Sequence, residues 1–185
     1  MKLSDKIWYT RKSRIEAATR LNNNDLISQI LINYYSVFIV SISIWDLYDK
    51  SVNLSLLIVI TSIMILVTSI FITNRNFKTR ALELKNCYIK LDEIFRKAVS
   101  AEEKRSNEIE IISKEYDNVL LFSENHSTYD YLNVLYLNKN SKQNNDDYPI
   151  ITKVQIFQLF VYKIFRKVIF LVLFIFPVIL VCFLR

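Results

Sequence analysis

Ser51-Val-Asn-Leu-Ser-Leu-Leu-Ile-Val-Ile60-Thr-Ser-Ile-Met-Ile-Leu-Val-Thr-Ser-Ile70-Phe-Ile-Thr-Asn74 contains no charged residue. A helix needs roughly 20 apolar residues to cross about 30 Å of hydrocarbon, and the workable range begins near 17. This stretch meets that length and predicts a membrane-spanning helix. Two further stretches, residues 26–45 and 168–184, are also free of charge. The first is weaker, because Gln29, Asn33 and several serines interrupt it; the last is the shortest and holds Pro177. Three such segments buried inside a soluble fold would need more polar covering than 185 residues provide. A cleaved signal peptide fits the first stretch poorly. The charged region ahead of it is long, and its apolar run exceeds the usual h-region of about 7–15 residues. An uncleaved signal anchor is the better reading.

Composition excludes several function classes. The chain has no glycine, where average usage near 7% would give about 13. A P-loop, a Rossmann turn and a G-x-S-x-G nucleophile elbow all need glycine where backbone approaches phosphate or turns sharply. The Asn-Gly hairpin signal is missing too, so the expected class is all-α. One histidine, His126, and two cysteines, Cys87 and Cys182, are too few for a Cys/His zinc site or a disulfide framework. No cofactor or metal is expected. None of the three apolar stretches carries Asp, Glu, His, Lys or Arg, the groups that intramembrane enzymes and proton-coupled carriers place at their centres. The chain therefore does not read as an enzyme.

Orientation follows from the basic residues flanking the spans. Lys2, Lys6, Arg11, Lys12, Arg14 and Arg20 precede the first; Arg75, Lys78, Arg80 and Lys85 follow the second; Lys163, Arg166 and Lys167 precede the third. The turn at residues 46–50 has only Lys50. All three clusters fit one side, which puts the N-terminus and the middle region in the cytoplasm and Arg185 outside. Trp45 and Tyr48 then sit at the outer interface. The net charge of +6 is thus accounted for by topology. With no nucleic-acid motif beside it, direct nucleic-acid binding is not expected.

The chain divides into a basic amphipathic helix (residues 1–25), a transmembrane hairpin (26–74), a cytoplasmic helical region (75–137), a polar loop (138–149), and an amphipathic approach leading into a C-terminal membrane helix (150–185). In the first part Ile7, Trp8, Ile15, Ala18 and Leu21 fall near one face, leaving Arg11, Lys12, Arg14 and Arg20 to reach lipid phosphates or acidic partners. Asn22-Asn23-Asn24-Asp25 is expected to end that helix and cap the first span. After the second span, Phe77, Ala81, Leu84, Tyr88, Leu91, Phe95 and Ala98 recur at alternating spacings of four and three, an a/d seam. It starts directly after the span, so one helix is expected to continue from membrane to cytoplasm. The seam has to pack within the chain or against another subunit. The apolar pattern breaks over residues 100–107 and resumes at Ile109, Ile112, Tyr116 and Val119. Asp146 and Asp147 lie in a polar loop and read as a solvated turn. His126, beside Glu124 and Asp130, has no second His, Cys or reactive Ser with it and reads as structural.

Arg14-Ile15-Glu16-Ala17-Ala18-Thr19-Arg20-Leu21, the tight hairpin, the long helix opening Phe77…Ala81, Tyr116, and the block Glu124-Asn125-His126-Ser127…Asp130-Tyr131 together resemble the SLATT family. These are two-transmembrane effector domains that accompany SMODS nucleotidyltransferases and SLOG sensors in prokaryotic conflict systems. The Asn-His-Ser…Asp-Tyr block is most similar to the branch accompanying reverse transcriptases. The likeness covers residues 7–131; the third apolar segment departs from a two-span pattern. The resemblance implies an effector in the bacterial cytoplasmic membrane that oligomerises with itself and permeabilises the bilayer when a partner senses infection, causing abortive infection. A reverse transcriptase or nucleotidyltransferase system is the implied partner. The competing reading from composition alone is a small non-enzymatic membrane scaffold with a partner-binding helical region.

Two polar stripes bear on that choice. Ser55, Ser62 and Ser69 recur every seven residues, with Thr61 and Thr68 beside them, and seven residues return to within about 20° of the start. Gln29, Asn33, Ser36 and Ser43 form a similar stripe on the first span. Small hydroxyl residues suit close helix packing; they also suit a water-accessible lining.

Overall fold

A computed structural model describes residues 1–48, 54–104, 108–121, 123–139 and 149–184. Parts of the turn at 46–50, of the break at 100–107 and of the polar loop, together with Arg185, lie outside these. The described residues form six helices and no strand: α1 (Leu3–Tyr48), α2 (Ser55–Asn74), α3 (Phe77–Glu103), α4 (Ile109–Leu121), α5 (Thr128–Asn138) and α6 (Lys153–Leu184). They divide into two compact units, one of residues 1–22 and 78–162, the other of residues 23–77 and 163–185. The all-α membrane class expected from the glycine-free, charge-gapped sequence is the class observed.

The expected helix end at Asn22–Asp25 is corrected: α1 runs through it without interruption. Asn and Asp weaken a helix interior by only about 0.7 kcal/mol each, and neither Gly nor Pro is present there to break it. Asp25 instead accepts a hydrogen bond from Gln29 Nε2 at 2.8 Å. The expected continuity after the second span is corrected as well. α2 stops at Asn74, and Asn76 adopts φ 48°. That left-handed conformation is open to Asn at modest cost, and in a chain without glycine Asn is the natural residue for it. Arg75 and Asn76 donate back to the carbonyls of Ile72 and Thr73, closing the end of α2 before α3 begins.

In the first unit the opening of α1 sits between two apolar clusters. Ile7 joins Cys87, Leu91, Ile94, Ala98, Ala101, Ile112 and Tyr116 of α3 and α4. Tyr9 joins Leu132, Val134 and Leu135 of α5 with Ile151 and Leu159. Polar staples hold the same elements. Ser4 donates from its backbone N–H and its hydroxyl to Glu102, at 3.0 and 2.7 Å, which places a carboxylate at the positive end of α1. Arg11 pairs with Asp92, and Thr10 Oγ1 shares a hydrogen bond with Tyr116 Oη at 2.8 Å. Arg11 is therefore engaged inside the chain rather than free for lipid phosphates, as is Arg20 (below).

The seam of α3 is shifted from its predicted course. Ala81, Leu84, Leu91 and Ala98 are buried as the spacing predicts, but Cys87 and Ile94 are the buried residues where Tyr88 and Phe95 were expected. Tyr88, Phe95 and Phe77 are half-buried. A 3.6-residue helix drifts against a strict heptad. The small Cys87, Ala98 and Ala101 allow close approach, while the bulkier aromatics flank the contact and Phe95 lies under the Arg11 guanidinium.

In the second unit Asp46 accepts from the Leu54 backbone N–H at 2.9 Å and from Ser55 Oγ at 3.1 Å. One acidic side chain from the end of α1 thereby caps the start of α2. Among the described residues, α1 and the run that opens with α2 are long and apolar enough to cross a membrane.

Candidate functional site

Two sets of residues are candidates, one in each unit. In the membrane unit, α2 has no buried residue. Leu57, Ile58, Thr61, Ile65, Ser69 and Ile72 are half-buried and mark the side facing its neighbours; Ser55, Ser62 and Thr68 are exposed. The heptad stripe thus turns from the outer face at Ser55 and Ser62 to the inner face at Ser69, the drift a straight helix imposes. On α1, Gln29, Asn33 and Ser36 are exposed and Ser43 is half-buried. Several hydroxyls bond back onto their own helix: Ser62 to Ile58 O and Thr61 to Leu57 O, both 2.7 Å, and Ser36 to Ile32 O and Ser43 to Ile39 O, both 2.8 Å. Such i−4 bonds satisfy the donor without a partner helix or water.

Pro177 lies inside α6 and is fully buried. Proline has no N–H, so the carbonyl four residues earlier, Leu173 O, loses its helical donor. Tyr35 Oη donates to that carbonyl at 2.8 Å, and Tyr34 Oη donates to Phe174 O at 3.0 Å. Two adjacent tyrosines of α1 therefore supply donors at the interruption in α6. A carbonyl left without its helical donor is tolerated where neighbouring side chains re-satisfy it. Tyr35→Phe is expected to lower stability by about 1 kcal/mol in a denaturing-detergent titration. In a Pro177→Ala background, where the helical N–H returns, the same change should be close to neutral. Equal losses in both backgrounds would show that the tyrosine hydroxyl does not serve this carbonyl.

In the helical body the Glu124–Tyr131 block ties three helices together. Ser127 and Asp130 form a reciprocal capping box at the start of α5. Asp130 is wholly buried and also takes Arg20 Nε and Nη2 of α1 at 2.8 and 3.0 Å. Burial alone would raise the Asp130 carboxyl, but the hydrogen bonds from Arg20 and Ser127 outweigh it and hold it below the usual carboxylate range. Glu124 binds Arg80 of α3 through both oxygens, and that hydrogen bonding depresses its proton affinity in turn. Asn125 Oδ1 accepts the His126 backbone N–H at 3.0 Å, and Tyr131 packs on the Tyr9 cluster, where burial pushes its hydroxyl up. The half-buried His126 is pushed down, first by burial and then by the Arg14 charge. Arg14 is itself buried, which lowers its proton affinity.

These contacts give the block a positioning task, joining α1, α3 and α5. Among the described residues there is no group of three or more His, Cys, Asp or Glu able to hold a metal, and both cysteines are free. Sequence reasoning overlooked the capping box, although Ser-x-x-Asp before an apolar run is its signature. It also overlooked Asp46, Arg80 and the Tyr34–Tyr35 pair, whose partners lie far away in the chain.

No curated protein and no solved structure matches the chain. A family model does, over residues 1–183. The span of that match takes in both units, including the third apolar segment beyond the residues that first carried the resemblance. With its charge-free α2, its long apolar α1 and this nearly full-length match, the chain belongs to the SMODS and SLOG-associating 2TM effector domain family 5.

Proposed function

We propose that this membrane protein is the effector of a prokaryotic antiviral conflict system, which oligomerises in the cytoplasmic membrane and permeabilises it when a partner sensor is triggered. The observation that carries this reading is α2: twenty residues, none charged and none buried within the protomer. A helix half-covered on one side and open on the other is completed by lipid and by other copies of the chain. Ser55 and Ser62 on α2 and Gln29, Asn33 and Ser36 on α1 point outward, and polar groups facing lipid are unfavourable. Contact between copies withdraws them and sets them around a shared axis. The basic clusters support a cytoplasmic N-terminus and helical body, with α6 as a third crossing. A reverse transcriptase or nucleotidyltransferase system is the partner that the family resemblance favours.

The back-bonded hydroxyls favour the second reading, a non-conducting scaffold whose serines only permit close packing. Ser62 separates the two. Ser62→Leu should preserve expression and oligomer size yet abolish ion leakage, because an apolar ring at the narrowest point dewets. Ser62→Cys should react with a water-soluble thiol reagent only in activated cells, and Ile63→Cys should not. Undiminished leakage from Ser62→Leu, with equal labelling at both positions, would leave packing as the role of the stripe. A reporter fused after Asn138 should read cytoplasmic and one after Arg185 external.

A further inference from the structure

Arg14 is 2% exposed, and its Nε and Nη1 are closed off from solvent with no acceptor among the described residues. His126 Nδ1 is in the same condition. The two side chains are close enough for the Arg14 charge to depress protonation of the imidazole. The carboxylates near them are already committed. Glu124 gives both oxygens to Arg80, and Asp130 is shared between Arg20 and Ser127. A buried guanidinium without a counter-charge is unfavourable, and buried polar groups in folded proteins are nearly always partnered.

The missing partner has to be negatively charged and rich in acceptors, since it must serve two guanidinium nitrogens beside an imidazole. A phosphoryl group, with several oxygens in different directions, meets that requirement, and guanidinium is the side-chain group best suited to it. Cys87, which lies within reach of the Arg14 charge, lines a nearby cleft of about 390 Å³ together with Glu83, Lys90, Glu115 and Ser123. Its thiol meets Ser123 Oγ at 3.2 Å, and Ser123 belongs to the same connection between α4 and α5 as His126.

We propose that Arg14 and His126 form a binding site for a phosphoryl anion in the helical body. The anion comes either from a soluble phosphorylated compound or from a lipid headgroup. This site is independent of pore formation and holds equally for a scaffold.

Thermal unfolding of the full-length protein in nanodiscs tests it. In phosphatidylcholine discs, inorganic phosphate at tens of millimolar should raise Tm by roughly 3 °C or more over chloride of equal ionic strength. A rise seen only when phosphatidylglycerol is added to the discs would support the site and assign the lipid headgroup as its ligand. Arg14→Gln should abolish the rise, and without phosphate its Tm should equal or exceed that of the wild type, because an uncompensated charge has been removed. His126→Gln should weaken the phosphate response several-fold while keeping the fold. The wild type showing no rise with either source, a rise that persists in Arg14→Gln, or an Arg14→Gln protein with lower Tm than the phosphate-free wild type would each overturn the proposal.

Discussion

Asp130→Ala is expected to lower the stability of the helical body by about 3–5 kcal/mol, the range found when one partner of a buried ion pair is removed. Asp130 does three things at once: it is buried, it holds Arg20 of α1 through two hydrogen bonds, and it closes the capping box of α5. Its loss leaves a half-buried guanidinium unpaired and the first turn of α5 uncapped. Since folded domains have only about 5–15 kcal/mol in hand, much of the protein should become protease-sensitive at 37 °C. Arg20→Ala alone should cost less than Asp130→Ala, because the capping box survives, and the double variant should fall well short of the sum. Acid should act through the same group. The Asp130 carboxyl titrates below its ordinary range in the folded chain. Its contribution is therefore complete above the ordinary aspartate pKa of about 3.9 and is lost as pH falls through the lower folded value. Asp130→Ala should flatten the acid limb of a stability–pH curve.

The second large effect is expected at Leu91, which is 0% exposed at the centre of the cluster of Ile7, Cys87, Ile94, Ala98 and Tyr116. Leu91→Glu places an unpaired carboxylate there and should cost several kcal/mol; Leu91→Ala should cost about 2–5 kcal/mol. Leu82→Glu, on the open face of the same helix, should stay within about 0.5 kcal/mol. The spacing of the seam leaves open whether it packs within the chain or between chains. In the structure Leu91 is covered by residues of the same chain, so Leu91→Glu should unfold the helical body itself. Membrane insertion, which depends on α1 and α2, should persist. Limited proteolysis of membranes carrying each variant reads both outcomes. A Leu91→Glu body as resistant as that of Leu82→Glu would contradict the packing described.

Much of this architecture is legible in the sequence because charge is absent from a few long runs and apolar residues recur at helical spacing elsewhere. Residues 51–74 identify α2 without further help. The departures have local causes. The break at Asn76 requires one residue with positive φ, and a lone Asn among polar neighbours gives no advance notice of it. Asn22–Asp25 resembles a stop signal, yet each residue's helix penalty is small, and packing on either side carries α1 through. The seam drifts to Cys87 and Ile94 because a strict heptad is only an approximation to the helix. The ties among Arg20, Arg80, Glu124 and Asp130 join residues up to 110 positions apart, and spacing within one helix cannot register them. The same holds for Tyr35 and Leu173. Pro177 announces an interruption in the sequence, but the donor that answers it is found only in three dimensions.

The most direct test of the account is induced expression of the whole chain in a bacterium, with membrane potential and uptake of an impermeant dye followed together in single cells. Strong overproduction favours self-assembly by mass action. Permeabilisation should appear as loss of potential soon after induction, accompanied or followed by dye entry and growth arrest, with Ser62→Leu cells remaining polarised at equal protein levels. Normal potential and growth in cells whose membranes demonstrably contain the wild-type protein, with the proposed sensor system also present and triggered, would contradict permeabilisation and leave a scaffold as the function.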